Sequence, residues 1–498
     1  MSPALLPLVV IVPLLSAALL AVARHVEVLR RAVLLGVSAF ALAFGTVLCF
    51  TSWDGVVIAH AVGLWPSGIA IPFVADMFSA LMITVTALLT LLCSMFAIVS
   101  GDDRRPYFSA LVLMLSAGVY GALLTGDLFN LFVFIEVMLL PSYGLIAVLG
   151  GRDRLPAGRL YVAMNLLTST IFVAGVGLVY GTAGTVNIAE LAGAAAESSA
   201  VAAAASVPLI ALSVKAAVVP VHGWLTSTYP ATSPALTALF SGLHTKVAVY
   251  AIYRIYAVVF DGGTAYTGLI LLVLSLTMLV GVFGAVGQES MRSILVFNMV
   301  SGIGYILLGV ALFGPLGLMA GIFYLVHHMI VKASLLLSTG AIEVSYGTDR
   351  LGSVSGIART EPLIAAAFMG SALSLAGIPP FSGFVGKVAI VKAAVDEQQI
   401  AIAVVAVVVS LFSLMSVLKI WRGVFWGRAH EDEVHAVSAR RPGALLTHAP
   451  RTLALPGLVL TVVTLGIGLG GQGMLVLSEQ AAAGLLDVSG YIEAVIGS

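Results

Sequence analysis

Fourteen runs of about twenty apolar residues follow one another along this 498-residue chain. A run of that length crosses the ~30 Å hydrocarbon layer of a bilayer as an α-helix. The chain is 60% hydrophobic and only 9% charged, which is too little polar surface to cover a soluble protein of this size. The runs therefore predict an all-α polytopic membrane protein. They lie at about 3–22, 33–51, 74–99, 107–125, 128–149, 160–180, 204–220, 232–257, 266–286, 293–312, 317–341, 363–394, 399–423 and 453–475.

The loop charges predict the orientation of these helices. Sixteen of the seventeen arginines follow odd-numbered predicted helices, and even-numbered helices are followed by acidic or neutral loops. Because cytoplasmic loops are enriched in Lys and Arg, both termini are expected outside the cell. Arg254, near the end of the eighth predicted helix, is the exception. Asp76 and Asp127 lie near helix ends and are interpreted as solvated.

Composition and motifs exclude several classes of protein. Lys and Arg (23) balance Asp and Glu (23), so no basic surface for nucleic acid is predicted. Two cysteines, each inside an apolar run, argue against a disulfide framework or a Cys-based metal site. The chain lacks a Walker A motif, a Rossmann glycine pattern and zinc-ligand spacing. We therefore expect no metal, no cofactor and no enzymatic active site.

All six lysines fall inside the apolar runs. A charge at a helix centre costs roughly 2.5–3.5 kcal/mol on insertion scales, so mid-span charges are rarely incidental. A buried lysine, unlike arginine, can lose its proton at accessible pH. Lys215, Lys246 and Lys332 lie mid-span and are predicted to carry protons. Lys392 and Lys419 lie near helix ends and are interpreted as snorkelling to the headgroups.

Glu136 is an acid placed mid-helix in the same way, so it requires a cationic partner. A structural ion pair is the alternative to a proton relay. His328 lies four residues before Lys332 on one helix face, and a near-neutral pKa suits a proton shuttle. Other relay or gating candidates, for which a hydrogen-bonded core or loop histidine is the alternative, are His222, His244 and His327.

Proline-based breaks interrupt the seventh and twelfth predicted helices. Setting the first break beside the second aligns Pro-x-x-Gly-aromatic-aliphatic in both, and proline can open a helix in mid-membrane. Five helices separate the breaks, so the two segments run in opposite directions, as in the inverted halves of many secondary transporters. The break residues are Pro220, Gly223, Pro379, Pro380 and Gly383. Lys387 follows the second break and is predicted to titrate.

Five motifs, in this order, resemble those of the antiporter-like subunits. They are the Glu136 helix with Pro141 to Gly144, the segment 215–224, the segment 241–250, His328 with Lys332, and the segment 377–384. That superfamily joins the large subunits of Mrp-type Na+/H+ antiporters to the proton-pumping membrane subunits of respiratory complex I. The resemblance extends from the third to the thirteenth predicted helix.

The resemblance implies a fourteen-helix fold with two inverted five-helix repeats. The expected divisions are 1–106 (helices 1–3), 107–257 (helices 4–8), 258–423 (helices 9–13) and 424–498 (a cytoplasmic segment and helix 14). It also implies roles for residues at matching positions. Glu136 and Lys215 would form a switching ion pair, Lys246 would be the central relay residue, and Lys387 would be the terminal proton site.

The sequence thus predicts a proton-translocating subunit of a multisubunit Na+/H+ antiporter in the plasma membrane of a prokaryote. Its expected partners are H+, Na+, the lipid bilayer and other membrane subunits, with no nucleic acid. Within the superfamily, the chain looks most similar to the D-type subunits of the Mrp branch, and a membrane subunit of a complex I-type oxidoreductase or related hydrogenase is the alternative. A channel or receptor would not require titratable groups in both halves, and a structural scaffold would not retain mid-span lysines.

Overall fold

The computed structural model describes residues 1–65, 70–149, 154–263, 265–427 and 449–497. Its helices are α1 (Leu8–Val22), α2 (Glu27–Thr51), α3 (Met77–Ser100), α4 (Phe108–Leu124), α5 (Leu128–Leu149), α6 (Leu155–Ala183), α7 (Ala194–Glu197), α8 (Ser199–Lys215), α9 (Gly223–Thr228), α10 (Pro234–Phe260), α11 (Thr267–Gly287), α12 (Met291–Ala311), α13 (Pro315–Tyr346), α14 (Ile357–Thr360), α15 (Pro362–Ala376), α16 (Ser382–Asp396), α17 (Ile400–Ile420), α18 (Arg451–Leu469), α19 (Gly471–Leu486) and α20 (Ser489–Ile496). Short 3₁₀ turns lie at Pro3–Leu5, Trp53–Gly55, Val62–Leu64, Asp102–Arg104 and Tyr229–Ala231, and a π-helical turn at Trp421–Phe425 continues α17.

The predicted class of all-helical, multi-pass membrane protein is confirmed. Within the described ranges, eleven helices are long and apolar enough to cross a bilayer, and α4, α8 and α15 are shorter apolar helices. The structure describes only some of the arginine-containing loops from which the orientation is predicted. Arg152, Arg428, Arg440, Arg441 and most of the polar segment 424–451 lie outside the described residues.

Helices α8 and α15 each end a few residues before the prolines of the two predicted breaks. Helix α8 ends at Lys215 and the chain resumes helical structure at Gly223, in α9. Helix α15 ends at Ala376, and Gly377 caps it with a left-handed conformation (φ +84°) that favours glycine. At the first break Ala217 takes up a left-handed conformation (φ 63°), although its Cβ disfavours it.

Three helices occupy the centre of the molecule. The membrane-length segments of α10 and α13 are wholly buried by neighbouring helices, and that of α12 almost wholly, whereas α1, α2 and α17 expose most of their length. Helix α13 packs against α3, α10, α12, α15, α16 and α18. The central helices carry Lys246 and Lys332, so these charges face protein rather than lipid.

A two-stranded antiparallel ribbon connects α2 to α3, and no sequence pattern predicts it. Strands β1 (Ile58–Ala61) and β2 (Pro72–Ala75) pair with Ile58 opposite Ala75 and Ala61 opposite Pro72. Strands of four residues are too short to show an alternation that can be read from the sequence.

The interpretation of Asp76 as a solvated residue is wrong. Its side chain caps α3 by accepting a hydrogen bond from Ser79 N (2.9 Å) and binds Arg254 Nη2 on α10 at 2.5 Å, in a buried ion pair. The Arg254 guanidinium also lies 5.0 Å from the centre of the Tyr491 ring of α20. The one arginine that departs from the loop alternation is therefore an internal partner of Asp76, not an orienting loop charge.

Asp127 is also buried, in the connection between α4 and α5. Its carboxylate accepts a hydrogen bond from Asn130 N at 2.7 Å and so caps the start of α5. Burial raises the pKa of Asp127, and the backbone hydrogen bonds that it accepts oppose that shift. Its role is to close a helix end, and the solvation inferred from the sequence is wrong here too.

The snorkelling interpretation of Lys419 is also wrong. Its Nζ donates hydrogen bonds to the carbonyl oxygens of Val286 (2.9 Å) and Gln288 (2.6 Å), at the end of α11. A cation at a helix C-terminus satisfies carbonyls that have no partner within the helix. Lys392, by contrast, is exposed near the end of α16.

Candidate functional site

Glu136 and Lys215 approach the same helix, α6, from two sides. The half-buried Glu136 carboxylate on α5 accepts a short hydrogen bond from Ser169 Oγ, and Lys215 Nζ donates to Asn165 Oδ1 at 3.4 Å. Asn165 and Ser169 are one turn apart on α6. The described residues contain no salt bridge between the two charged groups, so the implied switching pair is open in this conformation.

The backbone groups freed at the first break find partners in neighbouring elements. Val219 N donates to Thr277 Oγ1 of α11 at 3.1 Å, and the Trp224 indole donates to Val214 O at 2.9 Å. Lys215 is the last residue of α8, where the partial negative charge of the helix C-terminus favours an ammonium. The break thus places Lys215 in a buried position without leaving those backbone groups unpaired.

Lys246 is fully buried at the centre of α10. Its Nζ donates to Thr245 Oγ1 at 3.1 Å, although an ammonium has three hydrogens to donate. His244 points elsewhere, with its Nδ1 3.2 Å from the Tyr161 hydroxyl, which in turn lies 3.0 Å from Ser142 Oγ. Lys246 thus has a single hydrogen-bond partner among the described residues, and His244 belongs to a separate polar cluster beside α6.

His328 and Lys332, the next two candidates, lie on α13, and both are fully buried. Lys332 Nζ donates to Leu295 O of α12 at 3.1 Å. Neither ring nitrogen of His328 has a hydrogen-bond partner within the described part of the chain. Gly302 of α12 makes room for this ring, because a Cβ there would lie 2.0 Å from His328 Nε2.

Lys387 lies against the second break. Its Nζ donates to Ala376 O (3.1 Å), the last carbonyl of α15, and to Ser410 Oγ of α17 (2.8 Å). The Tyr305 ring lies 5.6 Å from the ammonium, within the range of a cation–π contact. Gly377 is needed beside it, because a Cβ there would lie 2.8 Å from Lys387 Cδ.

The remaining candidates are two histidines, one near each break, and the glycines beside them. His327 lies on α13, and its Nδ1 is 2.8 Å from Ser382 Oγ at the start of α16. Gly383 is needed beside this contact, because a Cβ there would meet Ser374 O at 1.7 Å. His222 is half-buried at the start of α9, and its Nδ1 has no partner among the described residues. Gly223 faces open space, so no close contact requires a glycine there. No group of three or more His, Cys, Asp or Glu that could hold a metal ion occurs in the described ranges.

Several neighbours of the charged groups and of His328 were missed in the sequence. They are Asn165 and Ser169 beside the first pair, Gly302 beside His328, and Ser410 and Tyr305 beside Lys387. Asn165 and Ser169 could have been found, because they are polar residues four apart within a predicted apolar run. A lone serine such as Ser410 carries no comparable signal.

Comparison with known proteins identifies the family of the chain. The family described as "NADH:quinone oxidoreductase/Mrp antiporter, TM" matches residues 125–413. The D-type subunit of the Na+/H+ antiporter of Alkalihalophilus pseudofirmus is 37% identical over 449 residues, which is 89% of each chain. The chain belongs to the family of D-type Na+/H+ antiporter subunits. It is therefore part of a transporter and not an enzyme.

Solved structures show the same fold. A chain in the Mrp complex from Dietzia sp. DQ12-45-1b superimposes with a TM-score of 0.96 at 53% sequence identity, over 99% of both chains. A chain of respiratory complex I from Thermus thermophilus superimposes with a TM-score of 0.80 at 24% identity, over 97% of this chain. The second likeness concerns the fold alone, so complex I proteins are only distant relatives of this antiporter protein.

Proposed function

We propose that this D-type subunit translocates protons within a multisubunit Mrp-type Na+/H+ antiporter in the plasma membrane of a prokaryote. Protons pass along a relay formed by Glu136, Lys215, Lys246, His328, Lys332 and Lys387. The observation that supports this most is the burial of four lysines and a histidine, on α8, α10, α13 and α16. Each of these groups has few hydrogen-bond partners of its own.

The chemistry of the first step follows from the open Glu136–Lys215 pair. When the two side chains meet, the carboxylate stabilises the protonated ammonium. When they separate onto Ser169 and Asn165, as in this structure, that stabilisation is weaker, which favours release of the Lys215 proton toward Lys246. Buried ammonium hydrogens and imidazole nitrogens without protein partners require water, which completes the path between them.

The fourteen-crossing topology and the inverted repeats are part of the proposal. Eleven long helices and three shorter apolar ones supply fourteen crossings, if α8 with α9 and α15 with α16 each count as one. The breaks stand five crossings apart, which supports inverted halves at 107–257 and 258–423. The first three crossings (1–106) and the segment 424–498 would then flank the repeats.

Cysteine labelling tests the orientation in a chain whose native Cys49 and Cys93 are replaced by alanine. With both termini outside, a membrane-impermeant maleimide should label Ser2→Cys and Ser489→Cys in intact cells. Pro106→Cys, in the loop after α3, should react only after permeabilisation. All three residues are exposed. Labelling of positions 2 and 489 from opposite faces would refute the fourteen-crossing count.

Lys246→Met tests the proton-translocating role itself. The substitution keeps an unbranched side chain of similar length but removes the group that carries the proton, so Na+-driven proton transport should fall about a hundredfold or more. The measurement uses the complete complex in proteoliposomes, normalised to assembled complex. Lys392→Met is the matched control, because Lys392 is exposed near the end of α16. Wild-type transport by Lys246→Met would remove the relay from the proposal.

A further inference from the structure

A column of buried hydroxyl groups lies beside the relay, between α13, α15, α16 and α18. The residues of this hydroxyl column are Ser334, Ser338, Ser345, Ser371, Ser374, Ser382, Thr461 and Thr464, and all are buried. None of them is a charged residue, and α18 lies outside both proposed repeats. The hydrogen bonds of the column form two clusters that are stacked along the helix axes.

The first cluster begins at His327. Its Nδ1 lies 2.8 Å from Ser382 Oγ, which is also in short contact with Thr464 Oγ1. Ser374 Oγ joins them, 2.8 Å from Thr464 Oγ1 and 3.3 Å from Ser382 Oγ. The imidazole of His327 is thus connected through three hydroxyls contributed by three helices.

The second cluster repeats the arrangement one helical turn away. Ser371 Oγ lies 2.7 Å from Ser334 Oγ and 2.8 Å from Thr461 Oγ1, and Ser334 and Thr461 are 2.9 Å apart. Ser371 and Thr461 each precede their counterparts in the first cluster by three residues, a rise of about 4.5 Å. One water molecule bridges a gap of that size between hydroxyls.

The column continues along α13 toward its end at Tyr346. His327, Ser334, Ser338 and Ser345 are spaced by seven, four and seven residues, so they share one face of the helix. The hydroxyls of Ser338 and Ser345 are buried and have no hydrogen-bond partner within the described part of the chain, nor has His327 Nε2. Buried polar atoms without a protein partner are satisfied by water. The column therefore has unpaired polar groups at both ends.

We propose that the hydroxyl column conducts protons between His327 and the membrane face at which α13 ends. The inference rests on the proposed relay and adds an access branch to it. Every hydroxyl can accept a proton on a lone pair while it passes its own hydrogen to the next oxygen, so no bond other than O–H or N–H is made or broken. Several oxygens face two or more hydroxyl partners, so their hydrogens can point in either direction along the column. The Ser334 and Thr461 hydroxyls also face backbone carbonyl oxygens, of Gly457 for both and of Ala367 for Thr461, and must turn from these to pass a proton.

Packing is the rival explanation for the same contacts. Serine and threonine commonly join transmembrane helices through hydrogen bonds, and such bonds contribute to stability. A role in packing predicts an effect on stability that is separate from the transport rate. The two explanations therefore differ in transport per assembled complex.

The experiment compares Thr464→Val, which keeps the shape but removes the hydroxyl, with Thr464→Ser, which keeps the hydroxyl. We expect Na+-driven proton flux per assembled complex to fall about tenfold or more in Thr464→Val and to change less than about twofold in Thr464→Ser. Thr339→Val is the matched control, because Thr339 is buried on α13 and its hydroxyl bonds only to Leu335 and Leu336 carbonyls of its own helix. Ser371→Ala repeats the test in the second cluster and replaces it if Thr464→Val fails to assemble.

Three outcomes would overturn the proposal. They are normal flux per complex in Thr464→Val with only a lower unfolding temperature, equal loss in the valine and serine variants, and equal loss in Thr339→Val. Lys246→Met distinguishes this failure from failure of the relay. If that variant is inactive and the hydroxyl variants are normal, the relay stands without the branch; if Lys246→Met is active, the relay itself fails.

Discussion

Na+-driven proton transport should be lost, by about a hundredfold or more, when Lys215 is replaced by alanine. Lys215 is the last residue of α8, where its Nζ donates to Asn165 Oδ1, and in the proposed cycle it pairs with Glu136 or releases its proton. Alanine removes the ammonium at this break. Assembly should survive, because the change also removes the cost of burying a charge whose single protein hydrogen bond is long.

The measurement is dye-monitored proton flux in vesicles, normalised to assembled complex. Ser213→Ala is the matched control on the same helix, because the Ser213 hydroxyl bonds only to Leu209 O one turn back. Lys215→Arg tests whether a fixed positive charge is enough for transport, since arginine keeps the charge but does not release a proton. Transport at the wild-type rate in Lys215→Ala would show that protons bypass this residue.

Replacement of lysine by arginine should reduce antiport activity strongly at position 387 and only slightly at position 419. Lys387 is buried at the second break and is proposed to give up its proton, which arginine cannot do. Lys419 instead donates to two backbone carbonyls at the end of α11, and a guanidinium can supply both of those bonds. The larger loss, about a hundredfold, is therefore expected at position 387.

The two variants are compared by antiport activity across about pH 7–9, normalised to assembled complex. Lys387→Met serves as a variant of similar length without charge, so that a steric effect of arginine can be recognised. If Lys387→Arg retains activity equal to Lys419→Arg, position 387 needs only a fixed positive charge. The relay would then have to end at another residue.

The helices and the central lysines could be predicted because their signals are local. An apolar run long enough to span a bilayer is visible in the chain itself. A lysine in such a run carries a free-energy cost of membrane insertion, whichever helices the run packs against. Hydrogen-bond partners are different, because they depend on which helices meet. The sequence could not show that Glu136 contacts Ser169, that Asp76 binds Arg254, or that Lys419 caps another helix.

The hydroxyl column illustrates the same limit. Serines and threonines occur in membrane helices for many reasons, so each one alone carries little information. Their meaning depends on the meeting of α13, α15, α16 and α18, which no local pattern encodes. The break motifs could be predicted only in part. The prolines mark where α8 and α15 end. The need for Gly383 follows from the neighbouring Ser374 carbonyl, and the need for Gly377 follows from its positive φ and from the nearby Lys387 side chain.

The buried Asp76–Arg254 pair has a consequence for how the chain is made. Helix α10 carries both Lys246 and Arg254, so its insertion alone would cost a few kcal/mol for each charge. Helix α3, with Asp76 at its start, is synthesised before α10 and is already in place when Arg254 emerges. The first three helices thus present a counter-charge to a helix that is poorly suited to lipid, and the order of synthesis itself favours correct membrane integration of the centre.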